Sequence, residues 1–402
     1  MTKGGLSTER LGRMHDVMTG HVERGTLPGL VTLVARRGEV HVDAIGTKAF
    51  GERDPMRRDT LFRITSMTKP ITAAATLILV EECKLQLQEP VDRLLPELAN
   101  RRVLSRIDAP LDDTVPAARP ITVLDLLTFR FGLGMTFGPP NAYPIQRAIA
   151  ELGIAGFGAP DPSAPHDPDE WLRRLGTLPL MHQPGERWMY NTGSYVLGVL
   201  VARASGQPFE TFLRERLFEP LGLKDTAFSV PPAKRDRLAT AYWPNAETGA
   251  LELHDGPDGK WSRPPVFPDG GAGLVSTVDD YAAFGRMLLD KGLHRGRRIL
   301  SRPSVEAMTT DQLTPAQKAA SAFVPGYWDA RGWGLGVSVV TKRDDVWAVP
   351  GRYGWDGGFG TSWASDPTED MVAILMTQCA GFPTTSRVYL DFWTAAYQAI
   401  ED

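Results

Sequence analysis

Between Ser66 and Leu87 the chain is apolar almost all the way round, through Ile71-Thr72-Ala73-Ala74-Ala75-Thr76-Leu77-Ile78-Leu79-Val80. A helix without a polar face is buried on most of its sides. This segment therefore belongs inside the fold, with other elements packed around it. Pro70 falls in the first turn, where a missing N–H does least harm. It also biases Lys69 away from the α region.

At the start of that helix stands Ser66-Met67-Thr68-Lys69, directly after a short strand, Leu61-Phe62-Arg63-Ile64. A serine hydroxyl is a poor nucleophile at neutral pH and needs a base within hydrogen-bond reach. Helix positions three apart share a face, so Lys69 can place its amine beside the Ser66 oxygen. If Ser66 opens the helix, its own N–H is an unpaired donor aimed where an oxyanion would form. The same four residues also read as a cap serine followed by a solvated lysine, so the context decides.

The chain has 402 residues, room for two or three domains at about 150 residues each. Its 42% hydrophobic and 23% charged residues are those of a soluble globular enzyme. A net charge of −4 makes no broad basic field, which argues against nucleic acid or an anionic membrane as partner. Cys83 and Cys379 belong to no C-x-x-C pair and read as two free, mostly buried thiols, although a disulfide between them stays open. The first seven residues lack the apolar core of a signal peptide, and no apolar run approaches the ~20 residues of a membrane span. The expectation is a soluble, cytoplasmic protein.

Residues 8–25 pattern as an amphipathic helix. Leu30–Ala35 and Val40–Gly46 flank a Gly-containing turn and read as an antiparallel hairpin. Residues 88–180 mix short helical pieces with Pro-rich connections such as Pro139-Pro140 and 158–165, and read as a separate helical domain inserted into the first. A helix over 194–218 follows, then a Trp/Pro/Gly-rich loop region over 242–271. Strand patterns return at Gly334–Val340, Gly360–Ser365 and Met371–Met376, before a closing helix over Val388–Ile400. Strands at both ends predict one α/β sheet domain built from 1–87 and 181–402, with 88–180 as the helical insert.

Two more segments carry chemistry. In Trp188-Met189-Tyr190-Asn191-Thr192-Gly193, a phenol with an ordinary pKa of about 10 would be drawn toward phenolate by a neighbouring ammonium. A Tyr190–Lys69 contact would then supply Ser66 with a base and the leaving group with an acid. Alone, Tyr190 reads as an ordinary half-buried aromatic with its hydroxyl satisfied. Gly354-Trp355-Asp356-Gly357-Gly358-Phe359-Gly360 lets backbone approach a ligand closely, or serves as a tight turn before a strand.

Taken together, these segments resemble the penicillin-recognising serine hydrolases: class C β-lactamases, D,D-peptidases and family VIII carboxylesterases. Ser66–Lys69 matches the S-x-x-K motif, Tyr190-Asn191-Thr192 the Y-x-N position, and Trp355-Asp356-Gly357 the K-T-G or W-x-G position. Phrases such as Ile121–Thr128, Pro184–Trp188, Phe218–Leu223, Gly270–Thr277 and Gly332–Gly336 extend the resemblance from about residue 25 to 380. It implies an α+β fold, an antiparallel sheet flanked by helices plus an inserted all-helical lobe, with the active site between lobes. It implies Ser66, Lys69 and Tyr190 as catalytic residues, the N–H groups of Ser66 and Gly358 as oxyanion hole, and no metal or organic cofactor.

Departures from the pattern narrow the expected activity. Thr192 cannot donate the amide hydrogen bond of an asparagine. Trp355 removes the cation that would meet a substrate carboxylate, and Arg352, three residues upstream, reads as an exposed loop arginine. Phe129 and Phe131 make an apolar pocket wall. The expected substrate-side residues are Thr192, Trp355, Asp356, Gly357, Gly358 and Phe129. A neutral small-molecule ester needs none of the lost groups, so the resemblance points to a carboxylesterase. A β-lactamase or D,D-peptidase, an acyltransferase to an alcohol, and a non-catalytic binding protein are the alternatives. Ser362 imitates a nucleophile elbow but sits in a strand pattern, and the seven histidines, His182 included, show no metal-ligand spacing.

Overall fold

The computed structural model of the protein describes residues 3–402 apart from 138, 140, 155, 158, 159, 246 and 382–385. Its framework is a seven-stranded sheet assembled from both ends of the chain. The strands are β1 (Gly29–Arg36), β2 (Glu39–Gly46), β3 (Arg331–Trp333), β4 (Ser338–Val340), β5 (Tyr353–Gly357), β6 (Thr361–Asp366) and β7 (Met371–Met376). Their order is β3-β4-β5-β6-β7-β1-β2, and every neighbouring pair runs antiparallel. Arg37 and Gly38, both at positive φ, make the two-residue turn that joins β1 to β2. That conformation matches the twist of a tight hairpin.

Successive strand residues point to opposite faces, and both faces are covered. Leu30 and Val34 of β1 meet the terminal helices α1 (Thr8–Glu23) and α5 (Arg387–Gln398). Val31 and Leu33 face the larger core, which holds α2 (Thr68–Glu81), α3 (Gly193–Ser205) and α4 (Val278–Leu289). Every residue of α2 from Thr68 to Leu79 is buried, as its all-round apolar pattern requires. Ile71, Leu77, Ile78 and Leu79 each contribute about 1.5–3 kcal/mol by leaving water.

Several boundaries differ from the sequence pattern. The helix after Ser66 begins as a 3₁₀ turn over Thr65–Met67 and ends at Glu81, where Cys83 takes a left-handed φ of 58°. Pro70 leaves Lys69 helical after all. The helix expected over 194–218 stops at Ser205, because Gly206 is left-handed, and resumes at Phe209–Leu213. Gly334–Val337 is a turn between β3 and β4 rather than part of one strand, closed by a hydrogen bond from Gly334 N to Val337 O at 2.8 Å. The 242–271 region carries a hairpin, Ala241–Pro244 with Leu251–Asp255. Both cysteines are free, but Cys83 is exposed and Cys379 half-buried: Cys83 sits on the turn beyond the core face of α2.

Residues 88–180 hold the short helices Val123–Leu127, Pro144–Glu151 and Pro168–Thr177. They also carry a two-stranded ribbon, Arg102–Leu104 with Thr114–Pro116, so this segment is not all helix. Leu126, Ile145 and Trp171 join the same buried cluster as α2. Of the Pro-rich connections, Pro140, Gly158 and Ala159 lie outside the described residues. No helix among the described residues is long and apolar enough to cross a membrane.

Candidate active site

Ser66 sits on the 3₁₀ turn where a two-residue strand, Phe62–Arg63, hands over to α2. That strand pairs with Val275–Ser276, and Thr68 Oγ1 accepts a hydrogen bond from Leu274 N at 3.2 Å, which ties the start of α2 to the 270–276 segment. Lys69 lies one turn on. Its Nζ donates to Ser66 Oγ at 2.8 Å and to the Gly271 carbonyl at 2.7 Å. Tyr190 arrives from the loop before α3, its ring centre 4.6 Å from Lys69 Nζ. Its hydroxyl hydrogen-bonds the Ser66 side chain and accepts from Trp355 Nε1 of β5 at 3.0 Å. Lys69 from α2 and Tyr190 from the loop before α3 thus meet on one serine oxygen, with Trp355 of β5 joined to it through the phenol.

Burial sets the electrostatics. Lys69 is wholly buried, and loss of water pulls its pKa well below 10.5, with the charge of Asp269 opposing. Tyr190 is pushed above its ordinary value by burial, and its hydrogen bonds with Ser66 and Trp355 offset only part of that. Desolvation drives an amine and a phenol alike toward their neutral forms. Burial thus works against the ammonium–phenolate pair expected from sequence, because it disfavours the charged form of both groups. Burial also lifts Asp356 to about 6, against a hydrogen bond from Ser362 Oγ at 2.5 Å.

Tyr190 is desolvated by aromatic neighbours. Trp188 stacks on it at 5.5 Å and Phe129 meets it edge-on at 5.9 Å. Phe129 adopts a left-handed φ of 55°, uncommon for a bulky residue, and its carbonyl accepts from Met189 N at 2.8 Å. That strained turn supports the loop carrying Tyr190.

In front of Ser66 opens a cavity of about 490 Å³, lined also by Tyr190, Trp355, Asp356, Gly357 and Gly358. A Cβ on Gly357 would lie 2.4 Å from the Ile64 carbonyl, so glycine alone lets β5 run this close to the serine turn. Two corrections concern the walls. Thr192 and Phe129 are fully buried and do not line the cavity, and Phe131 is likewise in the core. Phe129 packs against Tyr190, and Thr192 precedes α3 with its side chain buried and without a capping hydrogen bond. The lining is instead Asn191, Met135, Phe137, Trp243, Phe323 and Tyr327 among others. These come from loops, a hairpin and the one-turn helix Tyr327–Ala330, without periodic pattern, and only Asn191, adjacent to Tyr190, carried a local signal.

Arg352 is also corrected. It is 6% exposed, and its guanidinium lies 3.9 Å from the centre of the Trp393 ring and 4.9 Å from that of Trp347. It lines a separate cavity of about 270 Å³ and not the Ser66 cavity. Ser362 is fully buried in β6, bonded to Asp356 and Trp393, away from Ser66. His182 is pushed down to about 4 by burial and does not line the Ser66 cavity. Among the described residues no cluster of His, Cys, Asp and Glu could hold a metal ion.

Comparison with known proteins agrees with this architecture. Esterase EstB of Burkholderia gladioli is 31% identical over 393 residues, covering 92% of this chain and 90% of its own. Protein Rv1367c of Mycobacterium tuberculosis is 42% identical over 364 residues, covering 89% and 87%. The solved structure of EstCE1, described as a hydrolase with promiscuous acyltransferase activity, superposes with a TM-score of 0.80 at 25% identity over 96% of this chain and 98% of its own. Residues 14–395 match the family described as Beta-lactamase, and the chain belongs to that family of serine-hydrolase-like proteins.

Proposed function

We propose that this protein is a carboxylesterase that cleaves neutral esters through an acyl-enzyme on Ser66. The observation that carries the reading is a fully buried Lys69 amine, its pKa pulled down by desolvation, 2.8 Å from the Ser66 oxygen. As Ser66 Oγ bonds to the ester carbonyl carbon, its proton passes to the Lys69 amine. The N–H groups of Ser66 and Gly358 receive the developing oxyanion. The tetrahedral intermediate collapses, the alcohol oxygen departs with the Tyr190 proton, and Lys69 returns a proton to the phenol. Water then attacks the acyl-enzyme with the same two groups acting in reverse, releasing the carboxylic acid and regenerating Ser66.

Substrate preference follows from the walls. The side chains around Ser66 are mostly aromatic or aliphatic, and Trp355 occupies the place where a substrate carboxylate would need a cation. Arg352 does not line the Ser66 cavity, its guanidinium packed against Trp393 and Trp347. Penicillins and D-Ala-D-Ala peptides carry a carboxylate that finds no partner here, whereas an uncharged ester buries its apolar parts. The relative named lovastatin esterase, from Penicillium rubens and 29% identical over 375 residues, supports an ester as substrate class. A second reading, acyl transfer to an alcohol in place of water, is favoured by the EstCE1 likeness and uses the same acyl-enzyme.

The test is Ser66→Ala assayed with p-nitrophenyl esters beside a chromogenic cephalosporin. The account expects loss of ester turnover by orders of magnitude and little cephalosporin hydrolysis by the wild type. Ser66→Ala protein that is folded and keeps more than about a tenth of wild-type kcat would remove Ser66 as nucleophile. A cephalosporin kcat/KM comparable to that for p-nitrophenyl butyrate would return the chain to the β-lactamases.

A further inference from the structure

Behind Lys69, on the side away from the substrate cavity, lies a buried carboxylate that the mechanism above does not use. Asp269 is 5% exposed. Its Oδ1 accepts from Gly271 N at 2.9 Å and Ala272 N at 2.5 Å, and Gly273 N also bonds the carboxyl. The loop it closes is fastened to α2 at two points. Lys69 Nζ donates to the Gly271 carbonyl at 2.7 Å, and Thr72 Oγ1 to the Gly270 carbonyl at 2.7 Å. Residues 69 and 72 share one helix face, so the loop lies along it. The fit is tight: a Cβ on Gly271 would come within 2.3 Å of the Tyr195 ring.

We infer that Asp269 is a positioning residue for Lys69: its carboxylate folds the 270–273 loop so that the Gly271 carbonyl faces the amine, and its negative charge governs when that amine gives up its proton. The inference rests on the reading of Ser66 and Lys69 as nucleophile and base. Asp269 does not line the substrate cavity, so it acts only through Lys69. The two groups are electrostatically linked in both directions: Asp269 favours the ammonium, and Lys69 favours the carboxylate. The Gly271 carbonyl and Ser66 Oγ, both hydrogen-bonded to the amine, and the Tyr190 ring beside it fix its place, and the Asp269 charge bears on its proton affinity.

The groups facing this pair are few. Lys69 faces Asp269 and Tyr190; Asp269 faces Lys69 and Tyr195; Tyr190 in turn feels Asp356 from β5. Burial keeps both tyrosines neutral through the working pH range. Asp269 and Asp356 are each lifted to about 6 by burial, so substitution at Asp269 is needed to separate them. The sign follows directly. An anion beside an amine raises its proton affinity, so removing that anion lets Lys69 act as a base at lower pH.

The test is Asp269→Asn, which keeps an oxygen acceptor for the loop amides and removes the charge. The pH profile of kcat with a p-nitrophenyl ester should show its ascending limb moved to lower pH by about one unit, with a lower plateau from the weaker base. A limb that stays at the wild-type position overturns the inference, whatever the plateau does. Asp269→Glu keeps the charge on a longer stem and decides independently. Its limb should stay near the wild-type position while kcat falls, because the Gly271 carbonyl is displaced; a limb displaced as far as in Asp269→Asn contradicts the charge role. Lys69→Met serves as control. If it keeps wild-type kcat, the reading of Lys69 as base fails; if it is inactive while Asp269→Asn leaves the limb unmoved, only the role of Asp269 fails.

Discussion

Replacing Trp355 with phenylalanine removes one hydrogen bond that the mechanism uses and little else chemically. The indole N–H lies 3.0 Å from Tyr190 Oη in a buried site. Because it donates to that oxygen, the phenol proton is free to point at Ser66 and the leaving group. In the ground state the lost bond is neutral, worth about 0.5–1.5 kcal/mol. As Tyr190 gives its proton to the departing alcohol, its oxygen takes on phenolate charge, and the same bond becomes worth about 1.5–3 kcal/mol. Only the difference between the two states enters kcat, so the upper bound is about a hundredfold and a tenfold loss is the central expectation.

The assay should compare two leaving groups. An alkyl ester such as ethyl butyrate requires a protonated leaving oxygen, whereas p-nitrophenolate departs without one. Trp355→Phe should therefore lose kcat/KM, which reports acylation, with the alkyl ester and much less with the p-nitrophenyl ester. Trp355 packs edge-on against Trp333 at 4.7 Å, so about 1–2 kcal/mol of stability is also lost, which denaturation by urea would register separately. Equal losses on both esters, or none, would refute the proposed role of Tyr190 as acid.

Further outcomes follow from the same geometry. Tyr190→Phe should fold normally and lose kcat far more than it raises KM, as a group acting mainly in the transition state does; near-normal kcat would make the phenol structural. Lys69→Met should be inactive yet more stable than wild type at pH 7, because a buried amine is exchanged for an apolar chain of similar length. The sign of the pH effect is fixed. Lys69 holds fewer protons folded than unfolded, so wild-type stability rises with pH from its depressed value up to about 10.5, and chemical denaturation of Lys69→Met should lack that slope. Phe323→Ala, which opens the cavity wall, should raise KM for bulky esters more than for acetates; parallel changes would place substrate elsewhere. Arg352→Met should lower Tm by a few degrees through the lost contact with Trp393 while leaving kcat/KM for neutral esters unchanged.

How far this could be read from the chain depended on whether the signal was local. The central helix was legible because burial on all sides leaves a pattern in consecutive residues, and β1, β6 and β7 because β-branched and apolar runs do the same. Ser66 and Lys69 were legible because their spacing is itself the geometry: three residues on a helix place them 2.8 Å apart. Arg352 was not. A loop arginine looks solvated until Trp347 and Trp393, brought from elsewhere, close over it. The tyrosine was placed correctly beside the lysine, but the upward pull of burial on its pKa was not legible, since that comes from an aromatic shell including Trp188 and Phe129, gathered in space. Thr192 stands at a motif position and Phe129 within a family-like phrase, and neither placement says whether a side chain points into the cavity or behind it. Asp269 left only a faint mark, an acidic residue before Gly270-Gly271, whose meaning required the loop to be seen against α2.

The central claim is a covalent acyl group on Ser66. It is tested most directly by quenching the enzyme in acid during turnover of p-nitrophenyl butyrate, then locating the modification by peptide mass spectrometry. The account predicts a mass increase of one butyryl group on the peptide containing Ser66, absent in Ser66→Ala and accumulating to about one per chain in the burst of p-nitrophenol. Acyl label on Ser362 or any other residue, or a burst that survives Ser66→Ala, would contradict it.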